Sequence, residues 1–406
     1  MKNLETLIQE LCPDGVEFVK LGDVCEIKGR IGFRGYTRKD LVSESEGAIT
    51  LSPSNIINGN IVYDKCSYIS WAKYEESPEI MAEVGDVVFT KTASVGKTAY
   101  IENMPKEMTI NPQLVLLKKF RGVSKYLAYI LKTTYFQNEV KKITGVGSVP
   151  NVPQSSLAKI EIPLPPIEVQ TEIVRILDKF TSLEAELEAE LDCRKRQYEY
   201  YRDKLLSFDN VGGQEVTISK IGDIGRICMC KRIMKNQTNS ESGIPFYKIG
   251  TFGKVADAYI SNDVYEEYKK LYSYPKKGDI LMSASGTIGR TVVFNGKPSY
   301  FQDSNIVWVD NDETKVFNSY LNYYYQIIEW KTQGGTIKRL YNNLLAGATI
   351  KYPSLEEQHR IVSILNRFES LTTSLQSGLP AEIVARRQQY EHYRDKLLTF
   401  KRKGAA

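Results

Sequence analysis

The chain has 406 residues, 42% hydrophobic and 25% charged, an ordinary globular composition too long for one average domain. Its 54 basic and 49 acidic side chains leave a net charge of +5, too small to identify a partner by itself. No run approaches the ~18 apolar residues of a membrane span, and having only two histidines, His359 and His392, excludes most histidine-dependent chemistry.

The opening MKNLETLIQELCPDG (1–15) is polar and acidic, with Leu4, Leu7, Ile8 and Leu11 at helical spacing. It reads as a short amphipathic helix and lacks the apolar core of an export signal. The six cysteines, at 12, 25, 66, 193, 228 and 230, are scattered and are expected as reduced thiols in a cytoplasm.

Residues 16–162 carry 19 basic and 16 acidic side chains, net +3. Their β-branched and aromatic runs, broken by Gly and Asn as in VGDVVF, predict a strand-rich mixed module with short helices. Residues 163–208 are acidic, with 7 basic against 10 acidic. Here Ile173, Leu177, Phe180, Leu183, Leu187, Leu191, Tyr198, Tyr201 and Leu205 recur at three or four residues, the seam of a long coiled-coil helix. Pro165 and Pro166 stand before it, where proline is tolerated. Residues 209–350 form a second strand-rich module, again net +3, and 351–406 a second long helix, net +4. Its seam is Ile361, Ile364, Phe368, Leu371, Leu375, Ile383, Tyr390, Tyr393 and Leu397, and GLP (378–380) is expected to kink or interrupt it. About 40 residues of helix span ~60 Å.

The second half repeats the first. YRDKLL occurs at 201–206 and 393–398, an offset of 192. PLPPIEVQTEIVRILDKF (163–180) matches KYPSLEEQHRIVSILNRF (351–368) at 188, so four extra residues, about one helical turn, lie between Phe368 and Arg387. The modules match more faintly: VEFVKLGDV (16–24) with VTISKIGDI (216–224), GDVVFTKTASVGKT (85–98) with GDILMSASGTIGRT (278–291), YLAYI (126–130) with YLNYY (320–324), and GSVPNVPQSSLAKIEI (147–162) with GTIKRLYNNLLAGATI (335–350). The order module, helix, module, helix predicts an α+β protein. Two strand-rich modules are separated by two long antiparallel coiled-coil helices, with an internal pseudo-twofold, circular repeat.

Little of the sequence points to catalysis. SVGKT (94–98) resembles the end of a phosphate loop, but Lys91 stands where that loop needs glycine, and the second copy reads GTIGRT. The repeated turn either sets backbone N–H groups and a basic side chain, Lys97 or Arg290, beside an anion, or is purely structural. Pro13, Asp14, Glu17 and Lys20 have the wrong spacing for a nuclease metal site. Cys228 and Cys230 have no second pair, which leaves no metal site expected. There is no G-x-G-x-x-G loop and no Asn/Asp-Pro-Pro-aromatic tetrad of an adenine methyltransferase. A binding or scaffold role is favoured.

Two variable modules, twin YRDKLL helices, and a proline-rich entry followed by Glu-x-Gln (168–170) or Glu-Glu-Gln (356–358) together resemble type I restriction-modification specificity subunits. The resemblance covers essentially the whole chain, although the second copy has YPSLEEQ where the first has LPPIEVQ. It implies that each module reads one half of a bipartite, asymmetric double-stranded DNA target. It also implies that the helix pair sets the spacer and docks two methyltransferase subunits, with restriction/translocase subunits joining the assembly. The chain itself is then non-catalytic and carries no cofactor; S-adenosylmethionine, ATP and Mg belong to the partner subunits.

Residue type selects candidate DNA contacts in loops. They are Arg30, Arg34, Tyr36, Asn55, Asn58, Lys91, Ser94 and Lys97 in the first module. In the second they are Lys231, Arg232, Lys248, Ser285, Thr287, Arg290, Lys338 and Arg339. Candidates for partner docking are Gln170, Arg175, Arg196, Tyr198 and Arg202, with Gln358, Arg387, Tyr390 and Arg394. Tyr201 and Tyr393 are expected inside the helix seam, and the Leu4–Leu11 segment at the distal end of the helix pair. Two other classes compete: a two-headed protein scaffold and a self-contained DNA methyltransferase. If the helices act as a ruler, inserting or deleting one helical turn shifts the spacer of the methylated motif by about one base pair. Methylome sequencing checks this, and an unchanged spacer refutes it.

Overall fold

The computed structural model describes residues 4–145, 147–208, 215–334, 338–373 and 378–404. Its chain divides into two compact units, one made of Met1–Glu188 with Glu382–Ala406, the other of Ala189–Ala381.

In the first unit, Phe18–Lys20 pairs antiparallel with Glu161–Pro163, Val19 opposite Ile162, and so ties the start of the module to its end. Between them lies a sheet in the spatial order Glu26–Lys28, Leu114–Lys118, Val87–Thr90, Thr98–Tyr100, antiparallel throughout. VVFT (87–90) is apolar on both faces because both faces are covered. Val87, Phe89, Val115 and Leu117 point into a core shared with Tyr126, Leu127 and Phe136 of the helices Ser124–Ile130 and Thr134–Ile143. The alternate residues Val88, Leu114 and Leu116 meet Ile49, Leu51, Met108 and Ile110, the two-residue period of a strand. Those partners belong to a second sheet ordered Met108–Ile110, Gly47–Leu51, Ser67–Ser70, Leu41–Val42, whose first pair is parallel.

The second unit repeats this plan. Thr217–Lys220 pairs with Thr349–Tyr352, Ser219 opposite Ile350. One sheet runs Gly225–Cys228, Ile306–Asn311, Ile280–Ser283, Thr291–Val293; the other runs Tyr300–Phe301, Ile244–Tyr247, Tyr259–Ile260, Thr238–Asn239, again with its first pair parallel. The repeated Gly-Asp also has a common cause. Gly85 and Gly278 take φ of +100° and +97°, a region that favours glycine. The buried carboxylates of Asp86 and Asp279 accept the N–H groups of Glu83 at 2.9 Å and Lys276 at 2.7 Å.

The first long helix is unbroken over Ile167–Ser207. The second is two helices, Leu355–Thr373 and Gly378–Leu397. GLP therefore opens a helix, with Pro380 in its first turn, where a missing N–H costs nothing. Residues 374–377, which include the seam position 375, lie outside the described residues.

Within the first unit the ring of Phe180 stacks on Tyr393 at 5.5 Å, while Arg387 reaches Glu184 and Glu188. Numbers rise on one helix as they fall on the other, so this pair is antiparallel. In the second unit Tyr201 stacks on Phe368 at 5.7 Å, and Leu206 is buried with Ile361 and Leu365. Tyr201 and Tyr393 thus stack across the seam, at its exposed edge. Each unit joins the entry half of its own helix to the exit half of the other copy's. In the first unit this uses the chain's two ends: Leu4, Leu7 and Ile8 pack in one core with Tyr390, Leu397, Leu398 and Phe400. The Val16 N–H donates to Lys401 O at 2.8 Å, and the Lys403 N–H to Val16 O at 2.9 Å. Leu11, on the same short helix, is left 43% exposed.

The Glu-x-Gln and Glu-Glu-Gln entries are locks between helix and module. The buried Gln170 amide accepts the Val123 N–H at 2.9 Å and donates to Pro165 O at 2.7 Å. Gln358 accepts the Phe317 N–H at 2.9 Å and donates to Pro353 O and Lys315 O, each at 2.9 Å. Beside them, the hydroxyls of Tyr126 and Tyr320 donate to Pro163 O and Lys351 O at 3.1 and 2.8 Å. Truncating a buried partner leaves its mates unpaired at about 1–3 kcal/mol. Gln170→Ala is therefore expected to lower the thermal midpoint clearly, whereas Thr171→Ala at the exposed neighbour is near neutral. Equal melting curves would show the lock to be idle.

Candidate nucleic-acid interface

The repeated turn after Val87–Thr90 and Ile280–Ser283 is built alike in both modules. The Thr90 hydroxyl donates to Ser94 O at 2.5 Å and accepts the Lys97 N–H at 2.8 Å, and the Gly96 N–H donates to Thr90 O at 3.0 Å. In the second module the Ser283 hydroxyl donates to Thr287 O and accepts the Arg290 N–H at 3.1 Å, with the Gly289 N–H on Ser283 O at 3.0 Å. The basic side chains fold back: Lys97 Nζ donates to Pro53 O and Ile56 O at 3.1 and 3.3 Å, and Arg290 Nη2 to Ile249 O at 3.3 Å, its guanidinium 5.3 Å from the Phe252 ring centre. Two of the turn's N–H groups are satisfied internally, while its cation is held only in part: Lys97 stays exposed and Arg290 Nε is buried with no hydrogen-bond partner among the described residues. Ser94 and Thr287 are left exposed at its tip.

Several candidates turn inward. Arg30 is buried, its guanidinium donating to Ile110 O, Thr109 Oγ1 and Arg34 O, each at 3.3 Å, and lying over Tyr36; burial pulls its pKa down. Asn55 is buried and caps its own loop, accepting the Ser52 N–H at 2.9 Å. These two hold the module together and present nothing to a duplex. Arg34 is half-buried against Glu79 at 3.4 Å, and the Tyr36 hydroxyl is 3.2 Å from Thr50 Oγ1. Asn58, at φ +51° beside Gly59 at +78°, is exposed at the tip of a two-residue hairpin, the turn an Asn-Gly pair favours. Lys91 is half-buried, which lowers its pKa.

In the second module Lys231 is exposed over Tyr272 at 4.9 Å, Arg232 pairs with Asp303 at 2.9 Å, and Lys248 with Asp257 at 2.9 Å. Lys338 is exposed. Ser285 and Arg339 converge on one atom: the Ser285 hydroxyl and Arg339 Nη2 donate to Asn305 Oδ1 at 2.7 and 2.8 Å. The matching positions of the first module are bonded in different pairs, the Thr92 hydroxyl donating to Asn151 Oδ1 at 2.7 Å and Asn111 Nδ2 to Gln113 Oε1 at 3.1 Å. Sequence reasoning passed over Thr92, Asn111, Gln113, Asn151 and Asn305; only the repeat offsets carried a signal for them.

Among the described residues, no three His, Cys, Asp or Glu side chains are grouped to hold a metal ion. Cys230 is buried, which pushes its thiol up to about 12. No described helix is long and apolar enough to cross a membrane.

Residues 13–192 and 213–385 each match the family described as type I restriction modification DNA specificity domain. The chain belongs to that family. It is 57% identical over 256 residues to a Haemophilus influenzae protein provisionally named type I restriction enzyme specificity subunit S.HindORF215P, covering 61% of this chain and 66% of that protein. It is 34% identical over 270 residues to the type I restriction enzyme EcoR124I/EcoR124II specificity subunit of Escherichia coli, covering 60% of this chain and 64% of that protein. Each match spans just under two thirds of the relative's length. The fold resembles a chain solved in work on complex assembly and conformational transition of the type I R-M system, with a TM-score of 0.61 and 20% identity over 95% of this chain and 97% of that one.

The docking candidates of this specificity-family chain divide. Gln170 and Gln358 are buried in the locks described above, so the structure removes them from any outward face. Tyr390 and Arg394 are nearly buried, the guanidinium 5.7 Å from the ring centre. Tyr198 and Arg202 reach Gln326 Oε1 at 3.4 and 3.3 Å. Arg387 is held by Glu184 and Glu188 at 2.6 and 3.0 Å, Arg175 by Glu172 at 2.5 Å, and the exposed Arg196 by Asp192 at 2.8 Å.

A cleft of ≈ 580 Å³ in the first unit is lined by Asn58, Lys97, Lys132, Glu184, Glu188, Arg387, Tyr390, Glu391 and Arg394. Lys132 stands where the second unit has Gln326, 194 positions on. It donates to Gly59 O at 3.3 Å. Burial above all, then Arg394 and Lys125 against a weaker pull from Glu184, lowers its pKa to about 8. The unfolded chain binds the proton more tightly. This cost to stability is therefore full below pH ~8 and is relieved as pH rises toward the free-lysine value near 10.4. Lys132→Gln is expected to stabilise the protein at pH 7 by about 1–3 kcal/mol and to flatten the stability profile between pH 8 and 10. Denaturant unfolding across that range checks both.

Proposed function

We propose that this chain is the DNA sequence-specificity subunit of a type I restriction-modification complex. Each module reads one half of a bipartite, asymmetric target, and the long helices set the spacer and dock two methyltransferase subunits. The observation that carries this reading is the duplication: two modules of one topology with different polar surfaces, each anchored to a long helix by the same buried glutamine. One scaffold written twice with different surfaces suits two unlike half-sites. Family membership and the named relatives support it.

On this reading the chain is not catalytic. S-adenosylmethionine is held by the methyltransferase partners, ATP and Mg by the restriction/translocase subunits, and the assembly works in the cytoplasm. A net charge of only +5 fits a subunit that clamps DNA together with partners rather than alone.

Co-expression with its methyltransferase partner, followed by mapping of methylated adenines, is expected to give a single bipartite motif with a fixed spacer. The assembled complex is expected to bind that DNA with an affinity that falls steeply with salt. A complex that assembles but binds DNA without salt dependence would point to a protein scaffold. Binding of S-adenosylmethionine by the chain alone would point to a self-contained methyltransferase.

A further inference from the structure

Resting on the DNA-reading role proposed above, we propose that the base-reading site of each module is the polar cluster at the end of its central sheet. Thr92, Gln113 and Asn151 form it in the first module, and Ser285, Asn305 and Arg339 in the second, where Arg339 reads a guanine.

The two clusters are one backbone with two side-chain sets. Thr92 and Ser285 stand 193 positions apart, Gln113 and Asn305 192, and Asn151 and Arg339 188, the offsets of the surrounding repeat. Thr92 bridges Asn151 as Ser285 bridges Arg339, and Gly145 bridges Asn151 as Gln333 bridges Arg339. The N–H groups of Lys91 and Ala284 donate to Gln113 O at 2.9 Å and Asn305 O at 2.7 Å. Elements that are chemically alike in both modules, such as the Thr90 and Ser283 turns, cannot tell two half-sites apart. Positions that match in backbone and differ in side chain can.

The side chains are also positioned in advance. In the second module Asn305 Oδ1 takes the Ser285 hydroxyl and one arm of Arg339, and Ser304 Oγ lies 3.4 Å from the same nitrogen. That fixes the guanidinium fork, whose Nε and Nη1 have no hydrogen-bond partner among the described residues. A fixed fork of donors matches guanine O6 and N7 in the major groove. In the first module the Asn151 and Gln113 oxygens are occupied by Thr92 and Asn111, while their NH₂ groups find no partner among the described residues. That module offers amide donors where the other offers a guanidinium, which calls for a different base pattern. Asn151 is exposed and Gln113 and Arg339 half-buried, whereas Ser285 is buried and serves by holding Asn305. Lys91 lies beside the first cluster, its N–H on Gln113 O, and beside the second Asp303 is paired with Arg232.

The test uses the full chain assembled with its methyltransferase partner, with methylated motifs mapped for Arg339→Gln, Asn151→Ala and Gln113→Ala. Arg339→Gln is expected to relax one base position in one half-site, by roughly ten- to a hundred-fold in discrimination, with the other half-site and the spacer unchanged. Asn151→Ala and Gln113→Ala are expected to relax the opposite half-site only. An unchanged motif in all three variants overturns the proposal. So does weaker methylation at an unchanged motif by variants that still assemble, since that is the signature of a phosphate contact. If Arg339→Gln fails to fold, the two first-module variants, truncated at accessible side chains, still decide. Absence of any bipartite motif with the unmutated chain instead defeats the specificity-subunit reading itself.

Discussion

The architecture depends on a buried glutamine at the entry of each long helix. Gln170 and Gln358 sit one turn inside their helices, each with its amide oxygen on a module N–H and its amide nitrogen on the carbonyl of a proline two residues before the helix. The amide is planar, and engaging its oxygen and its nitrogen on opposite partners, through two bonds at Gln170 and three at Gln358, fixes a direction. The helix therefore leaves its module along one line in both copies. An apolar residue there would bury equally well and leave that direction unset.

From that line the rest of each unit follows. The antiparallel seam forms between the entry half of one copy's helix and the exit half of the other's, with Phe180 on Tyr393 and Tyr201 on Phe368 at nearly the same spacing. Equal geometry from different residues is the mark of duplication. The second unit takes its segments in unbroken order, and the first takes the same segments from the chain's two ends, held by Val16 against Lys401 and Lys403. A circular repeat needs such a junction, because one unit must be assembled across the termini.

The modules show where duplication stops. The turn at Thr90 and Ser283 keeps its internal hydrogen bonds in both copies, and the tips of its basic side chains lean back on neighbouring carbonyls. Bridged to Thr92 and Ser285, just beyond those turn positions, matched backbone carries Asn151 in one copy and Arg339 in the other. Scaffold and surface thereby lie side by side in space on separate stretches of chain, and the surface is free to change without altering the scaffold.

The duplication, the two long helices, the strand-rich modules and the seam tyrosines were legible in the sequence, because periodicity and repetition are properties of the chain itself. Residue type alone misplaced Arg30 and Asn55, since an arginine that ties two strands and one that faces solvent have the same letter. It also set Gln170 and Gln358 on an outward face, because a polar residue on an amphipathic helix is exposed unless a neighbouring element brings groups for it to satisfy. Only tertiary packing supplies those groups, from Val123 and Phe317. Which side chains gather at the end of a sheet, as Thr92, Gln113 and Asn151 do across about sixty residues of chain, is likewise decided by folding, because hydrogen bonds act over ~3 Å in space and ignore separation along the chain.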